Sequence, residues 1–260
     1  HNTRPNPEYN LQTDQYKSHV AETGIACEEC HGPGEVHARV NHNPIRRYLA
    51  ESGGNADQTI QHANKLDKTR SVQVCGQCHG QRVPEPLSRI AQIMTQGDPF
   101  VPSANLFEYY KPIEPNVVAP GSDVYHLRFW KDNSPRLTAY ELQGILASEC
   151  FQQSSDMNCQ TCHNPHGGDP KGMINPEMRT NAACTQCHEK YRSDEAIFKH
   201  TKHKVNSTTC YSCHMPDVVY GVMTLHPTHL IRNPDPTRTV NFNMPNECNL
   251  CHLEKSVNWS

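Results

Sequence analysis

A chain of 260 residues with 24 basic and 27 acidic side chains carries a net charge of −3, which offers no basic footprint for nucleic acid. Only 35% of its residues are hydrophobic and 20 are proline, and no apolar stretch approaches the roughly 18 residues that span a membrane. Its 13 cysteines and 17 histidines make disulfides, metals or covalent cofactors the candidates for what holds it together.

In chain order, the first recognisable unit is Cys27-Glu-Glu-Cys30-His31, followed by a Gly-Pro-Gly turn. Residues Asn55 to Arg70 read as a helix, and Cys75-Gly-Gln-Cys78-His79 follows. The proline-rich run from Pro84 to Pro135 reads as extended coil wrapping the surface. Leu137 to Phe151 then predicts an amphipathic helix with Leu137, Tyr140, Leu142, Ile145 and Leu146 on its apolar side. Cys150 at its end reads as a buried, inert thiol. Four more units crowd the remainder: Cys159/Cys162/His163, Cys184/Cys187/His188, Cys210/Cys213/His214 and Cys248/Cys251/His252, with a helix expected over Asp194 to Lys204. No stretch alternates as a strand would.

Twelve of the 13 cysteines thus fall into six Cys-x-x-Cys-His motifs, the attachment signature of haem c. Two thiols three residues apart reach the two vinyl groups of one porphyrin, and the adjacent histidine is placed under the iron. Zinc ribbons need no histidine after each pair, a disulfide would close an unusually short loop, and iron–sulfur proteins favour different cysteine runs. The expected cofactors are therefore six haems c. The expected fold is mostly irregular coil with short α-helices packed around them and little or no β-sheet. A dihaem part over residues 1–120 and a tetrahaem part over 121–260 are expected to pack as one unit.

The six motif histidines leave 11 others for the far side of each iron. His166, in Cys162-His-Asn-Pro-His-Gly167, is projected by a proline turn toward a neighbouring haem. His37 follows the Gly-Pro-Gly turn, while His203 and His229 flank the Cys210 motif. His126 precedes Phe129-Trp130, and His226, His200, His62 and His19 compete for the remaining position. His42 reads as a loop residue, and Met215 and Met244 as minor alternatives to histidine.

Several phrases are familiar: Ala26-Cys-Glu-Glu-Cys-His-Gly-Pro-Gly34, Cys159-Gln-Thr-Cys-His-Asn-Pro-His-Gly167, Cys210-Tyr-Ser-Cys-His-Met-Pro216 and Cys248-Asn-Leu-Cys-His252. They resemble a large family of multihaem cytochromes related to the tetrahaem electron carrier of nitrifiers and to octahaem hydroxylamine-oxidoreductase-like proteins. Asp132-Asn-Ser-Pro-Arg136 looks like that family's connector. The resemblance implies distal ligation by His37, His166, His203 and His229. It also implies that His1-Asn-Thr-Arg-Pro is the tail of a further motif in a longer chain.

The resulting expectation is electron transfer along six haems, with no catalytic residue, between redox protein partners or extracellular acceptors. Self-association into an oligomer or extracellular filament is a special case of it. The alternative is a reductase or dehydrogenase of a small nitrogen or sulfur compound, which needs an iron with an open position. Haem c is attached outside the cytoplasm, so an exported protein is expected, placed in the periplasm, at the cell surface or outside the cell.

Overall fold

The computed structural model describes every residue except 1, 55–56, 118–126, 138, 168–171, 205 and 221–223. His1 and His126 lie outside the described residues. The chain divides into two compact units, residues 1–113 and 114–260, holding two and four motifs respectively.

In the first unit, residues 2–24 form one irregular hairpin. β1 (Asn2–Thr3) pairs antiparallel with β4 (Glu22–Thr23), an Asn6–His19 bridge continues the ladder, and β2 (Tyr9–Asn10) pairs with β3 (Gln15–Tyr16) at the tip. Its base is fixed by Thr3, whose buried hydroxyl donates to the Gly24 carbonyl at 2.8 Å and accepts the Ala26 N–H at 2.7 Å. The chain then enters α1 (Glu28–His31), which Gly32 ends at a φ of 73° that favours glycine. α2 (Glu35–Asn41) and α3 (Pro44–Ser52) follow.

Among the described residues of the helix expected over Asn55 to Arg70, only 68–70 form α-helix. Asp57 bonds the Thr59 N–H at 2.8 Å, a local turn that competes with helix. A single 3-10 turn covers Ala63–Lys65. α4 (Lys68–Gly76) starts only where Asp67 accepts the Arg70 N–H. It carries Val72 and Val74 into a core completed by Phe100, Leu106, Tyr110 and Ile113. The proline-rich run is therefore no surface wrap: its residues supply most of that core. It also contains α5 (Arg89–Gln96) and the pairing of β5 (Arg82–Pro84) with β6 (Tyr110–Pro112). Gln73, 1% exposed, donates to the Asn105 side chain and accepts the Leu106 N–H, both at 3.0 Å. Its burial therefore leaves no polar atom unpaired.

In the second unit the predicted helix at 137–151 is two: α6 (Glu141–Ala147) and α7 (Glu149–Gln153). The break is Ser148, extended and wholly buried. Tyr140, Leu142, Ile145 and Phe151 bury their side chains together with Phe129, whose ring meets Tyr140 edge-on at 5.2 Å. Beyond lie α8 (Ala182–Thr185), α9 (Asp194–Thr201), α10 (Cys210–His214), the hairpin of β7 (Asp217–Tyr220) with β8 (Thr224–Pro227), and α11 (Thr237–Phe242). α9 stops three residues before the predicted end of its segment because Lys202 turns left-handed, with a φ of 61°. Among the described residues sheet is confined to two-stranded ladders, so the fold is coil and short helices, as expected.

Candidate haem-binding sites

Each motif is a single tight turn. The N–H of His31, His79, His163, His188 and His252 donates to the carbonyl of its motif's first cysteine, at 2.9 Å in all five, and the sixth motif is α10 itself. One turn thus presents two sulfurs and an imidazole on the same side of the backbone, the arrangement haem c attachment needs. The second shell agrees. Nδ1 of His31, His163 and His214 lies 2.6, 2.7 and 3.0 Å from the carbonyls of Gln61, Gly172 and Arg232. Facing a carbonyl, that nitrogen must carry the proton, which leaves Nε2 as the metal-binding atom. Arg82 buries a guanidinium nitrogen, Nε, that has no hydrogen-bond partner, a donor suited to the carboxylates a haem carries.

In the second unit three motif histidines each face a histidine from elsewhere. His163 and His229 have ring centres 6.2 Å apart and planes 19° from parallel. His214 and His200 are 6.2 Å apart at 10°, and His252 and His203 are 5.9 Å apart at 37°. An iron bound on both sides at about 2 Å would hold two imidazole centres about 6 Å apart. Nδ1 of His203 lies 2.8 Å from the Thr201 carbonyl, again leaving Nε2 for a metal.

The segment carrying His229 is built for close approach. A Cβ on Gly144 would meet the His229 carbonyl carbon and the Leu230 nitrogen at 2.9 Å each, so only glycine fits there. The Ser148 hydroxyl sits 2.8 Å from the carbonyls of both Gly144 and His229 and accepts the Ile231 N–H at 2.8 Å. That is why the helix breaks at this residue.

A fourth ring contact has a different meaning. His62 meets His31 edge-on at 6.0 Å, but it follows Gln61, whose carbonyl binds Nδ1 on the side of the ring away from Nε2. A ligand across the iron would sit about 9 Å from that carbonyl, whereas the ring of the next residue reaches only about 6 Å. Moreover Nε2 of His62 lies 2.9 Å from the Asp57 carbonyl. The contact is lateral.

The other candidates are placed as follows. His37 turns Nδ1 to Asp57 Oδ2 at 3.1 Å, the carboxylate–imidazole pairing that orients metal ligands. Thr59, Asn41 and His37 together hold the Asp57 carboxyl well below the usual range. His166 sits on an exposed turn, its N–H donating to Asn164, and His226 lies on exposed β8 opposite Val218. His19 is in the N-terminal hairpin, 3.5 Å from Glu8.

The motifs also touch one another within each unit. In the first, Gln77, between the cysteines of the second motif, donates to the Glu29 carbonyl in α1 at 2.7 Å. Burial and the neighbouring Cys75 and Cys78 push the Cys30 thiol up to about 11. In the second, Asn181, just before α8, accepts the Cys210 N–H at 2.9 Å, and the Cys184 and Cys210 thiols lie near enough to push Cys184 up and Cys210 down. Asp132 of the Asp-Asn-Ser-Pro-Arg phrase binds Arg232 at 3.5 Å and Arg238 at 3.8 Å, and Arg232 is the residue whose carbonyl orients His214. Cys150 is half-buried, which pushes its thiol up, away from reactivity.

The doubled CXXCH motif family matches residues 153–193, the third and fourth motifs. The crystal structure of the outer cell wall cytochrome OcwA superposes with a TM-score of 0.59 at 18% identity, over 98% of this chain. By its motifs and its fold, this is a multihaem c-type cytochrome. The cytochrome spans 60% of the length of OcwA, and a search of curated sequences returned no significant match. Among the described residues, no helix is long and apolar enough to cross a membrane.

Proposed function

We propose that this cytochrome conducts electrons through six haems c, each anchored by one motif and ligated at least in part by two histidines. The observation that carries the reading is the set of three motif histidines facing a second histidine at 5.9–6.2 Å. A low-spin iron held on both sides changes oxidation state with little movement of its ligands, and its chemistry when bound is one-electron exchange. The chain's own part is to hold the rings, by the Nδ1–carbonyl bonds and by the Ser148 and Gly144 contacts behind His229.

In this reading the second unit uses His229, His200 and His203 as distal ligands, and His37, His166, His226 and His126 remain candidates for the other irons. The kinship with nitrifier tetrahaem and octahaem cytochromes rests on the motif phrases. Placement at the cell surface or beyond, and delivery to an extracellular acceptor or along a filament, are supported by the likeness to an outer cell wall cytochrome. Mass spectrometry and low-temperature EPR of the purified holoprotein test the reading. Six haem masses and low-spin signals are expected; four haems or fewer, or high-spin iron throughout, would overturn it.

A further inference from the structure

The second unit also orders its attachment sites, an inference that rests on the ligand reading above. We propose that the sites at Cys184–Cys187, Cys210–Cys213 and Cys248–Cys251 are consecutive neighbours in space, and that residues 181–203 are the scaffold joining all three.

The first junction is between the fourth and fifth motifs. Cys184 and Cys210 are the first cysteines of their motifs, and their thiols lie near enough to perturb each other. In the holoprotein both sulfurs would be thioethers at a porphyrin edge, and their proximity would set the two edges side by side. Two hydrogen bonds between the segments fix that proximity independently. Asn181, immediately before α8, accepts the Cys210 N–H at 2.9 Å, and the Tyr211 hydroxyl donates to the Met178 carbonyl.

The second junction is between the fifth and sixth. His200 lies in the last turn of α9 and faces His214, while His203 lies just past it and faces His252. Residues three apart on a continuous helix share one face. Here the left-handed Lys202 intervenes and sends the chain off the helix axis, so the two rings serve different motifs. The fifth site therefore has a neighbour on each side.

The test uses His200→Met and His203→Met in the full holoprotein. Methionine in place of a distal histidine raises the haem potential. Each variant should therefore gain a sulfur-to-iron absorption band and one haem that reduces first. Potentiometric EPR is then read at the potential where only that haem is reduced. In His200→Met two other low-spin signals should change, because two neighbours lose a paramagnetic partner. In His203→Met the fifth haem's signal, the one that His200→Met converts, should be among those that change. A band in each variant with the fifth haem's signal unaltered in His203→Met overturns the order while sparing the ligand assignment; no band in either overturns the ligand assignment and the second junction with it. An experimental structure of the wild-type holoprotein reads the first junction directly, whatever the variants do. The Cys184 and Cys210 thioethers should be adjacent, and another haem between them would overturn the proposal.

Discussion

Gly144 lies flat against the backbone of His229, so close that a Cβ would come within 2.9 Å of the His229 carbonyl carbon. The packing of α6 thereby sets the position of a ring that faces the third motif's histidine. Gly144→Ala should push the 229 segment away. The expected loss of stability is about 1–3 kcal/mol, the usual cost of overpacking. Conversion of one low-spin haem to a high-spin or weakly ligated form should accompany it, with the haem content unchanged. EPR unchanged from wild type would separate the glycine from ligand placement.

Ser148→Ala acts on the same segment from the other side. It takes the hydroxyl partner from the Ile231 N–H and the His229 carbonyl in a part-buried place, at a cost of about 1–3 kcal/mol. Thermal unfolding followed at the Soret band should show a lower midpoint. An unchanged midpoint would mean that water replaces the hydroxyl.

Gln77→Ala removes the bond from the second motif to the Glu29 carbonyl of the first, and another to the Val74 carbonyl. The two carbonyls left behind, Val74's buried and Glu29's part-buried, should cost about 1–3 kcal/mol each at most. The effect should appear as earlier denaturation of the first unit in limited proteolysis, with the second unit's fragments unaffected. Equal loss from both units would count against this.

Asp132→Asn takes a negative charge from between Arg232 and Arg238, beside the carbonyl that orients His214. Less negative charge near an iron favours the reduced form. One haem should therefore rise in potential by something on the order of tens of millivolts. Redox titration checks the sign; a fall in potential would show that the aspartate acts through structure rather than charge.

The attachment chemistry was wholly legible, because Cys-x-x-Cys-His is local and each motif needs only one backbone turn. His203 and His229 were legible as candidates from their position beside the Cys210 motif. His200 reads from sequence only as one of four histidines competing for a remaining position, although it faces His214. Its three-residue spacing from His203 was the available signal. Gly144 and Ser148 could not be found from sequence, because their role exists only where the 229 segment, some 80 residues on, returns against α6. The proline-rich run misled for a related reason: proline signals the absence of regular structure, and says nothing against burial. Phe100, Leu106 and Ile113 sit in the core while their backbone is largely irregular.

Length, more than composition, is what the segment from His200 to His203 cannot trade. One residue inserted there would add up to about 3.5 Å of chain between the two imidazoles. Two cofactors, rather than one, would be detuned at a stroke. The exposed tip of the N-terminal hairpin, Leu11–Asp14, has no such constraint. Among homologous chains, insertions and deletions should therefore accumulate at that tip and spare the interval between the two histidines, whatever residues come to occupy it.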